Sequence, residues 1–214
     1  MEPVKQKAYR KAFDMACAQL ASLSIEDQTV KSGTVLAMKG DRSVIEIPFF
    51  DEVLSITIPG FAFSSSMNRN VTLVTKIVAL HYLSHASGAA MGGDLIPYDD
   101  IPGCRPYLPV FERRVAKPLL SAFGFARDAF SDAGTGLGGR AETYGDSSFT
   151  LYPFPRVPIT FVLWEGDQDF PPSIKTLFDP TIHTYLPLED ITVISKMATT
   201  RILKQARLEE MDME

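Results

Sequence analysis

Cysteine is nearly absent from this 214-residue chain: Cys17 and Cys104 are the two it has, and no CxxC pair occurs. Thiolates alone therefore build neither a zinc ribbon nor an iron-sulfur cluster here, and a reducing cytoplasm is the expected setting. A strongly basic balance is missing too. The formal net charge is -5 with both signs interspersed, so the stripe of cations that displaces counterions from a nucleic-acid backbone is absent and nucleic acid is not an expected partner. No run approaches the roughly 20 apolar residues needed to cross a bilayer, so no membrane is expected either. The opening Met1-Glu-Pro-Val-Lys-Gln-Lys has no apolar core or small-residue cleavage site, so it is not expected to be a secretion signal. The Asn70-Val71-Thr72 sequon then has no compartment in which to be used. Internal repeats and low-complexity linkers are also lacking.

What remains is an ordinary globular composition, 45% hydrophobic and 22% charged, enough to bury a sizeable core. Val4, Ala8, Ala12, Ala16 and Leu20 recur at helical spacing beside Tyr9, Phe13 and Cys17, which predicts an amphipathic helix over 3–22. A polar joint at Glu26-Asp27-Gln28 leads into three β-rich segments, 34–38, 44–47 and 53–58, the pattern of an antiparallel meander ended by Pro59-Gly60. A second helix is predicted over 70–86, with Asn70 as N-cap and Gly88 as stop. The stretch 91–109 is irregular, with a short edge strand at Leu95 to Tyr98. Residues 111–123 read as helical, with a further turn or two to Phe130. A Gly-rich loop at 134–139 then precedes a hairpin, with strands at 149–152 and 159–164 bent through Pro153 to Pro158. A closing helix starts near Pro187. The expectation is a single α+β domain over 1–208, its antiparallel strands (meander plus later hairpin) covered by N-terminal, central and C-terminal helices, with a fraying acidic tail at 209–214.

Candidate chemistry gathers at few places. His81 and His85 stand four apart on one arc of the second helix, a half-site for a metal with His183 as remote partner, yet Tyr82 occupies the glutamate position of HExxH. Glu165, Asp167 and Asp169 alternate just past an apolar strand, next to Trp164 and Phe170. Such carboxylates suit a hard cation or an acid/base pair, and equally a strand-exit turn in which they bond local amides. Gly134, Gly136 and Gly139 satisfy GxGxxG but follow a helical stretch, not a strand, which argues against a dinucleotide fold; Arg140 beside them is available to an anion. Cys104 beside Arg105 has no adjacent base, and Ser64-Ser65-Ser66 lacks the GxSxG elbow.

Phe154-Pro-Arg-Val-Pro158, Trp164-Glu-Gly-Asp-Gln-Asp-Phe170, Leu177-Phe-Asp179 and Leu186-Pro-Leu-Glu-Asp-Ile191, with a weaker echo in Val78-Ala-Leu-His-Tyr-Leu83, resemble a domain-of-unknown-function family of anaerobic bacteria and archaea. The resemblance brings no settled activity. Some members carry an additional cysteine-rich iron-sulfur segment, which implies a setting in anaerobic redox or corrinoid-linked one-carbon metabolism. This chain lacks those cysteines, so no cluster is carried over and no cofactor is named. Two functions follow. One is a cytoplasmic accessory or ligand-binding domain that meets a small molecule or protein partner at a corner made of Trp164, Glu165, Asp167, Asp169, Phe170 and Arg140, with a groove between Trp164, Phe170 and Phe178. The other is a metal-dependent enzyme using His81, His85 or His183 with Asp167 or Asp169.

Overall fold

A computed structural model describes residues 4–212, and the chain packs as two compact units. The first runs up to Ala90 and includes Phe154–Arg156 and Thr184–Pro187; the second takes Met91–Pro153, Val157–His183 and the chain from Leu188 onward. The secondary structure is a mixture of helices and antiparallel sheets, the α+β class expected.

The first unit opens with helix α1 (Val4–Ala21). Its expected start at Pro3 lies outside the described residues. Its apolar stripe is only partly used: Ala16 and Leu20 are buried, Ala12, Phe13 and Cys17 half-buried, and Ala8 and Tyr9 exposed. Alanines offer little area, so the gain from burying the first turns is small. The expected polar joint is instead a helix, α2 (Ile25–Ser32). The Ser24 hydroxyl accepts from the Asp27 amide at 3.2 Å, and Gly33, at φ 69°, closes the other end by donating to the Thr29 and Val30 carbonyls. Its polar residues are put to use inside, because Gln28 donates from Nε2 to the carbonyls of Leu83 and Ser84, both at 3.0 Å. Those carbonyls belong to the last turn of helix α3 (Leu73–His85), where the backbone has no further helical donors.

Strands β1 (Val35–Lys39), β2 (Arg42–Phe49), β3 (Glu52–Ile58) and β4 (Ala62–Ser65) form the expected meander with one strand more, in the order β1-β2-β3-β4. Pro59-Gly60 ends β3 but also turns the chain back for β4. Ile45 pairs with Ile56 and Ile47 with Leu54, so the alternating apolar residues fall on one face. Helix α3 is capped by Thr72, not Asn70: the Thr72 hydroxyl accepts from the Thr75 amide at 3.2 Å. Thr72→Ala is accordingly expected to cost about 1 kcal/mol in urea unfolding, whereas Asn70→Ala stays within about 0.5 kcal/mol. Equal costs would reverse the assignment.

The second unit is built on a five-stranded sheet in the order β5-β9-β8-β7-β6, made of β5 (Ile96–Pro97), β6 (Arg140–Ala141), β7 (Ser147–Phe154), β8 (Val157–Trp164) and β9 (Ser173–Phe178). The two sets of strands thus form two sheets, and β7 and β8 are longer than expected because the turn between them is only Pro155-Arg156. β9 pairs antiparallel with β8 from Trp164↔Ser173 to Ile159↔Phe178, and with the edge strand β5 at Ile96↔Phe178. Successive side chains alternate between the two sheet faces. Phe149, Phe161 and Phe178 lie on one face, where Phe130 packs on Phe149 with centroids 4.8 Å apart and Phe111 meets Phe178 at 6.0 Å. Thr150, Tyr152 and Thr160 lie on the other.

Helices cover the phenylalanine face. Residues 108–123 are helical throughout, as α4 (Leu108–Phe111), a π turn (Glu112–Ala116) and α5 (Lys117–Phe123). Pro118 would clash with the Arg114 carbonyl in a regular helix, and the wider turn just before it relieves that clash. α6 (Arg127–Gly136) is longer than expected and takes Gly134 and Gly136 into its last turns, so two of the glycines expected in a loop are helical, while Gly138 and Gly139 follow it. α7 (Leu188–Asp212) closes the unit with Ile191, Ile194, Ala198 and Ile202 buried, and its backbone continues as helix beyond Arg207 as far as Asp212. No helix among the described residues is long and apolar enough to cross a membrane.

Candidate functional site

A cleft of about 240 Å³ opens on the threonine-bearing face of the second sheet. Three strands and three connections supply its walls: Arg140 from β6, Glu142 and Tyr144 after it, Thr150 and Tyr152 from β7, Pro158 and Thr160 from β8, Asp179 after β9, and the loop at Met91, Gly92, Gly93 and Leu95. The β6–β7 register, Arg140↔Thr150, brings the arginine to this face beside the threonine.

The polar groups at its floor are chained. The Arg140 guanidinium donates from Nε and Nη2 to one oxygen of Glu142, Oε1, at 2.9 and 2.8 Å, and the Thr150 hydroxyl donates to the same oxygen at 2.7 Å. Thr150 and Thr160 share a further bond of 2.7 Å. Arg140 also stands over the Tyr152 ring, 6.0 Å from its centroid. Burial opposes ionisation of Glu142, but the Thr150 hydroxyl and the Arg140 guanidinium together outweigh it and hold the carboxyl below its ordinary range. A lowered value means the network is fully formed above the ordinary glutamate pKa and is lost as the pH falls through the lowered one. An NMR titration is expected to show the Arg140 Nε–H resonance moving with a midpoint below that of a free glutamate; Glu142→Gln should remove the transition. A midpoint at or above the ordinary value would contradict the bonding described.

Asp179 is 2% exposed, and its Oδ1 accepts from the backbone amide and the hydroxyl of Thr181 at 2.9 and 2.6 Å. Among the described residues nothing donates to its other oxygen, Oδ2, or to Oε2 of Glu142. Two carboxylates thus line one cleft, each fixed by one oxygen with the other left without a protein donor and open to solvent. Neither Asp179 nor Glu142 stood out in the sequence as a site residue. The only sequence signal was Asp179 inside the family-like Leu177-Phe-Asp179; Glu142, in a short segment between glycines, had none.

Of the residues expected at one corner, Arg140 lies in this cleft and Trp164, Glu165, Asp167, Asp169 and Phe170 do not line it. Trp164 is four residues along β8 from Thr160, about 13 Å away on an extended strand. Two of the acidic residues there hold backbone amides. Glu165 Oε1 accepts from the Arg127 amide at 2.9 Å, at the start of α6, where negative charge suits the helix dipole. Asp167 Oδ1 accepts from the amides of Asp169 and Phe170 at 2.8 and 2.7 Å, an Asx turn. Trp164 and Phe170 are exposed, at 38% and 71%. Phe178 does not join them in a groove: it is fully buried on the opposite face of the sheet, against Tyr98 and Phe111.

His81 and His85 do stand together on α3, with ring centroids 5.8 Å apart, and the His85 Nδ1 is 3.0 Å from the His81 carbonyl. His183, in the second unit, has Nδ1 2.8 Å from the Pro180 carbonyl. Among the described residues no group of three or more histidine, cysteine, aspartate or glutamate side chains could hold a metal ion. The two thiols are unpaired. Burial, with Asp14 nearby, pushes Cys17 up to about 11, and Cys104 is buried with Sγ donating to the Asp99 carbonyl at 3.2 Å. Neither geometry is that of an activated nucleophile.

Among known families, the one described as Domain of unknown function (DUF3786) has a model that matches residues 28–201. No curated protein and no solved structure matches the chain.

Proposed function

The chain belongs to the DUF3786 family, and from that premise we propose that it is a cytoplasmic accessory domain that binds a small molecule in the cleft of the second sheet. The observation that supports this most is Asp179. Burying an ionised carboxylate is costly unless its oxygens are bonded, and one of them meets no protein donor where the cleft begins. A chain can keep such a group where a bound molecule or solvent completes it. The unpaired cysteines suit a reducing compartment, and the family-like segments suit a place near anaerobic redox or corrinoid-linked enzymes.

A thermal-shift screen of metabolites tests the reading. A ligand at 100 times its Kd adds about 2.7 kcal/mol to the folded state, which for a chain of this size raises Tm by roughly 5–10 °C. The hit should perturb NMR signals of Thr150, Thr160 and Tyr152 and leave Trp164 fluorescence unchanged. Hits that report only at the Trp164 corner would move the site there.

The alternative, a metal-dependent enzyme on His81, His85 or His183 with Asp167 or Asp169, draws no supporting observation from the described residues, among which no three such side chains gather where a metal ion could sit. Protein purified without a histidine tag is expected to carry no stoichiometric transition metal or magnesium by elemental analysis. One equivalent of bound metal that disappears in His81→Ala or His183→Ala would restore that reading.

A further inference from the structure

The cleft has a chemical bias that narrows its ligand. We propose, resting on the reading of the cleft as a binding site, that it takes a small molecule bearing a protonated amine, whose N–H groups donate to Glu142 Oε2 and Asp179 Oδ2.

The argument is a count of donors and acceptors. Among the described residues Arg140 is the single cation lining the cleft, and its Nε–H and one Nη2–H are committed to Glu142. With Arg140 counted as +1 and Glu142 and Asp179 as -1 each, the lining carries -1 in total. The uncompensated charge is that of Asp179, the most buried of the three. What the walls lack is therefore a cation with several N–H donors and no need of an acceptor, which describes an ammonium group. An anion could reach the remaining N–H groups of Arg140, but it would bring like charge to a lining that already carries -1 and would meet the two carboxylate oxygens. A neutral acceptor such as an ether or ketone would supply neither oxygen with a donor.

The remaining walls agree with this. Tyr144 and Tyr152 present aromatic rings, and Met91, Leu95 and Pro158 present apolar surface. Aromatic faces attract ammonium ions, as the Arg140 guanidinium over Tyr152 already illustrates. Apolar walls suit the carbon stem that carries the amine. The volume of about 240 Å³ lies below the roughly 300–1,000 Å³ of drug-sized sites, so the molecule is small or only its amine-bearing end enters. A free amine and a lysine side chain of another protein share this chemistry, and the probes below separate them.

The test is an NMR titration of the intact chain at neutral pH with 1,4-diaminobutane, n-butanol and butyrate, which share a carbon stem and differ in charge. The diamine is expected to produce saturable shifts at Tyr144, Thr150, Tyr152 and Thr160, with at least tenfold weaker binding of the other two. Asp179→Asn preserves the Oδ1 bonds to Thr181 and puts an N–H2 where Oδ2 was; it is expected to weaken the diamine at least tenfold. Glu142→Gln should do the same, and a circular-dichroism melt of each variant reports whether the fold is retained. If Asp179→Asn does not fold, Glu142→Gln alone decides. Nα-acetyl-lysine amide binding more tightly than the diamine would assign the amine to a protein partner. Butyrate or butanol binding at the same residues with equal or greater affinity overturns the amine proposal and leaves the binding site standing. Unchanged diamine affinity in a folded Glu142→Gln also overturns it. No response of the cleft to the diamine or to any compound of the metabolite screen removes the binding site itself.

Discussion

Replacing Tyr82 by alanine is expected to cost about 3–5 kcal/mol of stability, among the largest single effects in the chain. Tyr82 is fully buried in the first unit, and its ring lies flat on Phe154, centroids 4.4 Å apart and planes 7° from parallel, with Tyr185 6.1 Å away. Its hydroxyl links two backbone segments: it donates to the Ser32 carbonyl and accepts from the Arg156 amide at 3.1 Å. Burial, the largest influence, raises the phenol well above its ordinary value, so the hydroxyl keeps its proton and its donor role. Two losses are separable. Tyr82→Phe keeps the stacking and removes the hydroxyl, leaving a buried carbonyl and a half-buried amide without their partner, at about 1–3 kcal/mol. Tyr82→Ala adds the cavity. Urea unfolding of both variants, with hydrogen exchange at Val78 to Leu83 to locate the loss, checks the partition. A Tyr82→Phe midpoint equal to that of the parent would show that the two hydrogen bonds contribute nothing net.

Gly134→Ala is expected to destabilise by about 1–3 kcal/mol, although a glycine-to-alanine change within a helix ordinarily gains up to about 1 kcal/mol. The opposing effect is steric. A Cβ at position 134 would stand 2.4 Å from Cδ1 of Phe149, less than any real contact allows. Phe149 cannot swing clear, because it is buried between Phe130 at 4.8 Å and Phe161 at 5.8 Å. Overpacking therefore outweighs propensity. Gly134→Val should be worse, and Phe149→Leu in the Gly134→Ala background should recover part of the loss by making room. A Gly134→Ala protein as stable as its parent would mean that the sheet and α6 separate easily at this point. The glycine that fits a dinucleotide-binding pattern is thus there to let a helix approach a phenylalanine ring.

The same contrast runs through the rest of the chain. Strands β2 and β3 were legible because Ile45, Ile47, Leu54 and Ile56 alternate with polar residues, a period that only a half-buried sheet requires. Helix α2 was not, since its signal is carried by Ser24, Gln28 and Gly33, whose value depends on what they reach. Gln28 reads as a loop residue until the buried helix-end carbonyls of Leu83 and Ser84 are placed opposite it. β9 was missed for a related reason: Ser173-Ile-Lys-Thr-Leu-Phe178 is short and follows two prolines, and its pairing with β8 spans residues that periodicity cannot connect.

The site followed the same rule. Arg140 was noticed as a cation near glycines, but its partner Glu142 and the buried Asp179 belong to separate turns and acquire meaning only when β6, β7, β8 and β9 lie side by side. The carboxylates that did stand out, Glu165, Asp167 and Asp169, stood out because they are clustered in sequence, but Asp167 accepts from the amides of its own turn and Glu165 from the amide that opens α6.

By itself the sequence determined the α+β class, the meander, the long helices and the exclusion of thiolate clusters, because those properties depend on local period and composition. The tertiary structure alone decided which carboxylates in a cleft keep an oxygen without a protein donor and which glycine must have no side chain. Both are questions of what stands within about 3 Å of an atom, and in this chain the answer comes from residues many positions away.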